Sequence, residues 1–271
     1  MDYSPCPGYF SPWEEDANKQ KPGHTDMPIS FLVVQHADWE TPGKLLVQTA
    51  QQVDIRLEIA HIYRQSIPDP MAFDALLLLG GPPNVHEEKR YPFLKEEKRL
   101  LKAWLAMNRP CLGFCLGHQL LADSLGAAVG TNSQPSVGFT QGYLTHAGKE
   151  HPIFNGVSSP LSLFKWHAQA VQTPLPRDLV MLATSGQCVV EAFSVVDRPH
   201  IIGLQCDNHA AHPDDIRSWL SHDGKWIDSL PDPGQPFSNL PRQAKLHYEA
   251  IQTDFTKIIN NFVTLVKNNR G

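Results

Sequence analysis

A chain of 271 residues, 41% of them hydrophobic, can bury a full core, and one large α/β domain accounts for it without a second. A formal net charge of -5 argues against a phosphate-tracking surface, because nucleic-acid affinity rests on Lys and Arg displacing counterions. The five cysteines are scattered and form no CxxC pair, which argues against a zinc site and suits a reducing cytosol.

No run approaches the roughly 20 apolar residues of a membrane span, and the N-terminal stretch lacks the basic-then-apolar order of a secretory signal. Residues 1–27 mix Pro, Gly and charge without periodicity and read as an extension to the fold. The run Ile29–Gln35 reads as a buried first strand, Gly43–Val53 as a helix and Ile55–Ile62 as a second strand. Asp74–Leu79 is a short apolar run ending at Gly80-Gly81-Pro82-Pro83, the pattern of a strand covered on both faces in a parallel sheet. Pro92–Met107 places Leu94, Leu101, Trp104 and Leu105 at helical intervals and returns the chain to a strand at Cys111–Phe114.

From Ser136 to Cys206 the pattern changes to short β-like runs at Leu161–Trp166, Asp178–Thr184, Cys188–Val196 and His200–Gln205, the last rejoining the main sheet. A helix starts near Pro213, a polar loop is expected from about Ser221 to Pro241, and an amphipathic helix from Arg242 to Lys267 ends the chain. The expected organisation is an extension over 1–27, a domain over 28–221, and a loop and helix over 222–271 packed on that domain.

Gly113-Phe114-Cys115-Leu116-Gly117 lies between a strand and a helical segment, with glycine two positions before and two after the cysteine. Those are the small neighbours that a tight strand-to-helix turn requires, and such a turn lifts the side chain against the positive end of the helix. A buried structural cysteine is the competing reading of so short a motif. The context favours the elbow: a backbone N–H in Gly80-Gly81-Pro82, assigned to Gly81, can face the same point, and the N–H of Leu116 supplies a second oxyanion donor.

The order Gly80-Gly81-Pro82, then Gly113-Phe114-Cys115-Leu116-Gly117-His118-Gln119, resembles the class I glutamine amidotransferases. The similarity continues through Val137-Gly138-Phe139, Trp166-His167, Leu182-Ala183, Glu191-Ala192-Phe193 and Gly203-Leu204-Gln205, so it spans Ile29 to Leu220. The resemblance implies a flavodoxin-like, mostly parallel sheet flanked by helices. It also implies attack of a cysteine thiolate on a γ-carboxamide, ammonia release and hydrolysis of a γ-glutamyl thioester. The substrate would be glutamine or a γ-glutamyl compound, Gln119, Phe139 and His167 would contact it, and neither metal nor cofactor is implied. Long relatives carry a synthetase domain that this chain has no room for, so a free-standing hydrolase, a homo-oligomer or one component of a cytoplasmic assembly is expected, with neither nucleic acid nor membrane as a partner.

Family members follow the Gly-x-Gln strand with Phe-His-Pro-Glu, whereas this chain has Cys206-Asp207-Asn208-His209. Asp207 stands at the base and His209 at the orienting carboxylate. An ionised Asp207 would raise the Cys115 thiol pKa rather than lower it. Alternate strand residues share a face about 6.5 to 7 Å apart, so His209 would need a bend to reach Cys115 itself. Ser136, Gln169 and Glu191 also depart from the usual residues. His212-Pro213-Asp214 resembles His-Pro-Glu but reads better as a helix start. Two functions follow: a cysteine-dependent amide hydrolase with an altered base and orienter, or a catalytically impaired scaffold that binds a ligand or protein partner.

Overall fold

The computed structural model describes residues 28–230 and 236–270. Its centre is a nine-stranded sheet in the order β2-β1-β3-β4-β9-β8-β7-β5-β6. The first five positions, β2 (Ile55–His61), β1 (Ile29–Gln35), β3 (Ala75–Leu78), β4 (Cys111–Phe114) and β9 (Arg198–Leu204), run parallel. An antiparallel extension of β8 (Ala192–Val195), β7 (Leu179–Ser185), β5 (Val129–Leu144) and β6 (Leu161–Val171) completes it.

Every residue of β1, β3 and β4 is buried, which explains why their sequences are unbroken apolar runs rather than alternations. Alternate residues feed two cores. Phe31 and Val33 pack with α1 (Gly43–Gln52), α5 (Pro213–Asp228) and α6 (Leu240–Asn269), while Leu32 and Val34 pack on the opposite side with α2 (Phe93–Ala106) and α3 (Leu116–Ser124).

The long helix α6 is tied down by polar contacts as well as by its apolar stripe. Asp254 accepts from Ser158 N at 3.2 Å, and Asn261 donates to Ile153 O at 2.9 Å. Arg270 donates from Nε to Asp74 at 2.9 Å, beside the start of β3.

Three elements differ from the sequence expectation. Helix α5 runs past Ser221 to Asp228, so the boundary drawn at 221 falls inside a helix whose face carries buried Trp219 and Ile227. Strand β5 begins at Val129, earlier than the expected onset at Ser136, and a register shift between Thr131 and Ser136 breaks its pattern. The run at Cys188 does not pair until Ala192, because Ser185 Oγ accepts the N–H groups of Gln187 and Cys188 in a turn. The extension over 1–27 lies outside the described residues. Helix α5 does begin as expected, with Pro213 in its first turn, Asp214 and Asp215 beside it, and His212 Nδ1 accepting from Asp214 N.

Candidate active site

The strand order reverses between β1 and β3, and the site sits beyond the carboxyl ends of β1, β3, β4 and β9. Open α/β sheets hold their ligands at such a switch point. Cys115 follows β4 directly and caps α3 with φ 46° and ψ −105°. This left-handed φ costs a non-glycine residue of order 1–3 kcal/mol and persists only where the surroundings over-determine it. They do here: Cys115 N donates to Leu204 O at 3.0 Å, and Gly117 N donates to Leu79 O at 3.0 Å. A methyl group on Gly117 would lie 2.4 Å from both Cβ and the carbonyl oxygen of Leu78, so the helix can approach β3 only with glycine there.

The elbow opens on a cavity of about 260 Å³ lined by Glu40, Gly81, Cys115, Leu116, Gln119, His167 and Asp223, among others. The expected oxyanion residues, Gly81 and Leu116, therefore share the cavity with the thiol. Gln119 is held by its Nε2, which donates to Gln169 O at 2.9 Å and Gln205 Oε1 at 3.2 Å. His167 donates from Nδ1 to Gln169 O at 2.9 Å, leaving Nε2 a bare acceptor. Burial first, then the Lys165 charge, holds His167 well below the usual histidine range and therefore neutral.

Phe139, expected at the substrate, is not brought to this cavity. Its ring stacks on His247 of α6 at 4.7 Å and packs on Phe164. His118 is fully buried against the Phe193 ring, and burial lowers its pKa to about 3.

Asp207 leaves the end of β9 and begins a short 3-10 turn, Asn208–Ala210, so the chain bends where a continued strand would have separated the two side chains. That bend brings His209 Nε2 to 3.7 Å from Asp207 Oδ1. His209 Nδ1 lies 3.0 Å from Pro42 O, which can only accept, so Nδ1 carries a proton. The imidazole thus stands behind the carboxylate, and Asp207 stands beside Cys115. Burial raises the Asp207 pKa, against the opposing pull of His209 and Lys165. Burial also pushes the Cys115 thiol well above its ordinary value, and Asp207 and Glu40 push it the same way.

Two buried ion pairs support the site. His36 donates from Nδ1 to Gly80 O at 2.7 Å and from Nε2 to Glu97 at 2.9 Å, clamping the glycine turn from below. Burial opposes the charged imidazole, but Glu97 and the Gly80 carbonyl outweigh it and raise its pKa. Lys165 on β6 pairs with Glu191, whose other oxygen accepts from Ser185 Oγ at 2.6 Å. Glu191 is therefore the partner of a buried lysine, not an altered pocket residue. The sequence reasoning missed Glu40, His36, Glu97, Lys165 and Asp223. Position alone could have flagged His36 and Glu40, which follow β1 at the switch point. Among the described residues no group of three or more His, Cys, Asp or Glu is arranged to hold a metal ion, and no helix is long and apolar enough to cross a membrane.

A parallel sheet of this order, with a cysteine elbow facing a glycine turn, defines the class I glutamine amidotransferases. The chain belongs to that family, whose description, glutamine amidotransferase class-I, matches residues 41–216. It is 32% identical over 185 residues to the glutamine amidotransferase-like protein YfeJ of Salmonella typhimurium, covering 66% of this chain and 74% of that one. It is 28% identical over 172 residues to one of the subunits of the glutamine-hydrolysing GMP synthase of Methanosphaera stadtmanae, covering 61% and 85%. In fold it is similar to a glutamine amidotransferase from Thermotoga maritima, with a TM-score of 0.77, 21% identity and coverage of 88% and 99%. A glutamine amidotransferase from Methylobacillus flagellatus gives 0.74, 21%, and coverage of 88% and 94%.

Proposed function

We propose that this chain hydrolyses the γ-carboxamide of glutamine or of a γ-glutamyl amide through a thioester on Cys115. The observation that carries this reading is the strained Cys115 backbone, at φ 46° and ψ −105°, held at a cavity shared with Gly81 and Leu116. Cys115 is the nucleophile, and the N–H groups of Gly81 and Leu116 receive the oxyanion. Asp207 takes the thiol proton in the place of the family's histidine. Its raised pKa makes it a stronger base than an exposed carboxylate, which suits a group that must take the proton of a thiol. His209, anchored on Pro42 O, orients Asp207 from behind. Gln119 and His167 contact the substrate.

Because a relative is named as one of the subunits of a synthase, a protein partner that uses the ammonia is part of the proposal. The protein is proposed to work in the cytoplasm. Ammonia release from glutamine and from γ-glutamyl amides, compared between wild type and Cys115→Ala, tests the reading. Release that requires Cys115 supports it, and release that survives Cys115→Ala sinks it.

One observation favours a second reading, an impaired scaffold that binds a ligand or partner: the thiol is pushed up by burial and by two carboxylates. Binding of glutamine without turnover would select that reading.

A further inference from the structure

Three buried groups meet over Gly80. A methyl group there would lie 3.1 Å from Asp207 Oδ1, 3.2 Å from Glu40 Oε2 and 3.5 Å from Cys115 Cβ. The two carboxylate oxygens are therefore no further apart than the sum of the first two distances. Glu40 is 5% exposed and lines the cavity with Cys115. Its Oε2 has no hydrogen-bond partner among the described residues, and neither do the two oxygens of Asp207. The same holds for His167 Nε2, which is 4% exposed and belongs to a residue lining the same cavity. Glu40 and His167 thus bring buried, unpaired polar atoms to one cavity, with Asp207 beside Cys115 behind its wall, and such atoms mark a place where a polar ligand is handled.

Two buried carboxylates on one small site repel each other when both are ionised, so one of them is favoured in its protonated form. The surroundings decide which one. Glu40 faces Asp207 from the turn after β9, Asp223 from α5 and the Cys115 thiol from the elbow, with Arg90 and His167 elsewhere on the cavity wall. Asp207 faces His209 and the Lys165 charge as well as Glu40. Of the two, Asp207 has the imidazole of His209 at 3.7 Å to favour its charge, while Glu40 has a second carboxylate, Asp223, to favour its proton.

We propose that Glu40 is the general acid of this site, protonating the leaving nitrogen while Asp207 takes the proton of Cys115. The assignment rests on the amide-hydrolase reading above. In acylation the C–S bond forms as the thiol proton passes to Asp207; the C–N bond breaks as the Glu40 proton passes to nitrogen, and ammonia or an amine leaves. Glu40 is then the anion and Asp207 the acid. In deacylation Glu40 takes a proton from water, the hydroxyl adds to the thioester carbon, and the C–S bond breaks as Asp207 returns its proton to sulfur. The acid product departs, and both carboxyls end as they began. Burial, then Asp207 and Asp223, hold Glu40 well above the usual carboxylate range, the direction that a proton donor requires.

The test compares wild type, Glu40→Gln and Cys115→Ala on glutamine and on γ-glutamyl p-nitrophenyl ester, whose phenolate leaves without a proton. Glu40→Gln is expected to slow acylation by glutamine about 10²- to 10⁴-fold while keeping the p-nitrophenolate burst near the wild-type rate. Infrared spectra of the folded proteins supply a readout independent of turnover. At neutral pH the wild type should show a carboxylic-acid carbonyl stretch that Glu40→Gln lacks. An equal loss on amide and ester, no loss on the amide, or no such stretch overturns the assignment while Cys115-dependent hydrolysis still stands. A stretch assigned to Glu40 without Cys115-dependent product from either substrate overturns the hydrolase reading and takes the catalytic role of Glu40 with it.

Discussion

Glu191→Gln removes one charge from a pair that the sheet has closed off from water. Lys165 and Glu191 are 0% and 2% exposed. The Ser185 hydroxyl that donates to Glu191 can still find an amide oxygen, so the loss is chiefly electrostatic. Stranding one member of a buried pair costs about 3–5 kcal/mol, because the remaining charge has neither water nor partner. That is a large part of the roughly 5–15 kcal/mol that holds a domain together. At about 2–4 °C per kcal/mol, the melting temperature should fall by about 6–20 °C. Calorimetry or circular dichroism on Glu191→Gln, Lys165→Met and the double variant measures this. The double variant, which replaces both charges, should recover most of the loss. A single variant costing under about 1 kcal/mol, or a double variant as damaged as either single, would refute the reasoning.

Replacing Asp207 by Asn should act with opposite signs on two rates. Removing the carboxylate lowers the Cys115 pKa, so iodoacetamide should label Cys115 faster at neutral pH, while amide turnover falls for want of a base. Slower labelling in the folded variant would contradict the assigned electrostatics. Acidification should destabilise the protein partly through His118, whose pKa is lowered to about 3 in the folded state from an ordinary value of 6.5. Between those values the unfolded chain binds a proton that the folded one refuses, so stability falls as pH falls through that window and is unaffected above it. His118→Leu should flatten the dependence by about 1.4 kcal/mol per pH unit, read from urea midpoints near pH 5. An unchanged slope would show that His118 takes up its proton while folded.

Much of the scaffold was legible because its signals are local. The apolar runs at Ile29, Asp74 and Cys111 need no partner to read as covered strands, and the glycines around Cys115 declare the elbow through their spacing. The exchange at Asp207 and His209 was equally visible, but its geometry was not, since a strand extrapolated past Gln205 gives no hint of the 3-10 turn at Asn208. The surroundings of Phe139 were hidden for a similar reason: a motif fixes the neighbours of a residue along the chain, not the ring it meets across the fold, here His247. Position could have flagged His36 and Glu40 but not their roles, and Glu97 was out of reach, because each role comes from a contact across the fold, His36 with Glu97 and Glu40 with Asp207. Glu191 looked anomalous only while Lys165 was unknown as its partner.

The contact between His209 and the Pro42 carbonyl bears on how such a site can change over time. A methyl group on neighbouring Gly43 would lie 2.3 Å from His209 O, so the loop carrying Glu40 and the turn carrying Asp207 fit together backbone to backbone. Glutamate at 209 would have no proton to offer Pro42 O and would turn an anion toward it. Exchanging residues 207 and 209 back to the family's order is therefore not a two-letter reversal. The loop from Glu40 to Gly43 has become part of the same unit, and a lineage or an engineer wishing to reinstate the histidine base must rewrite both segments together.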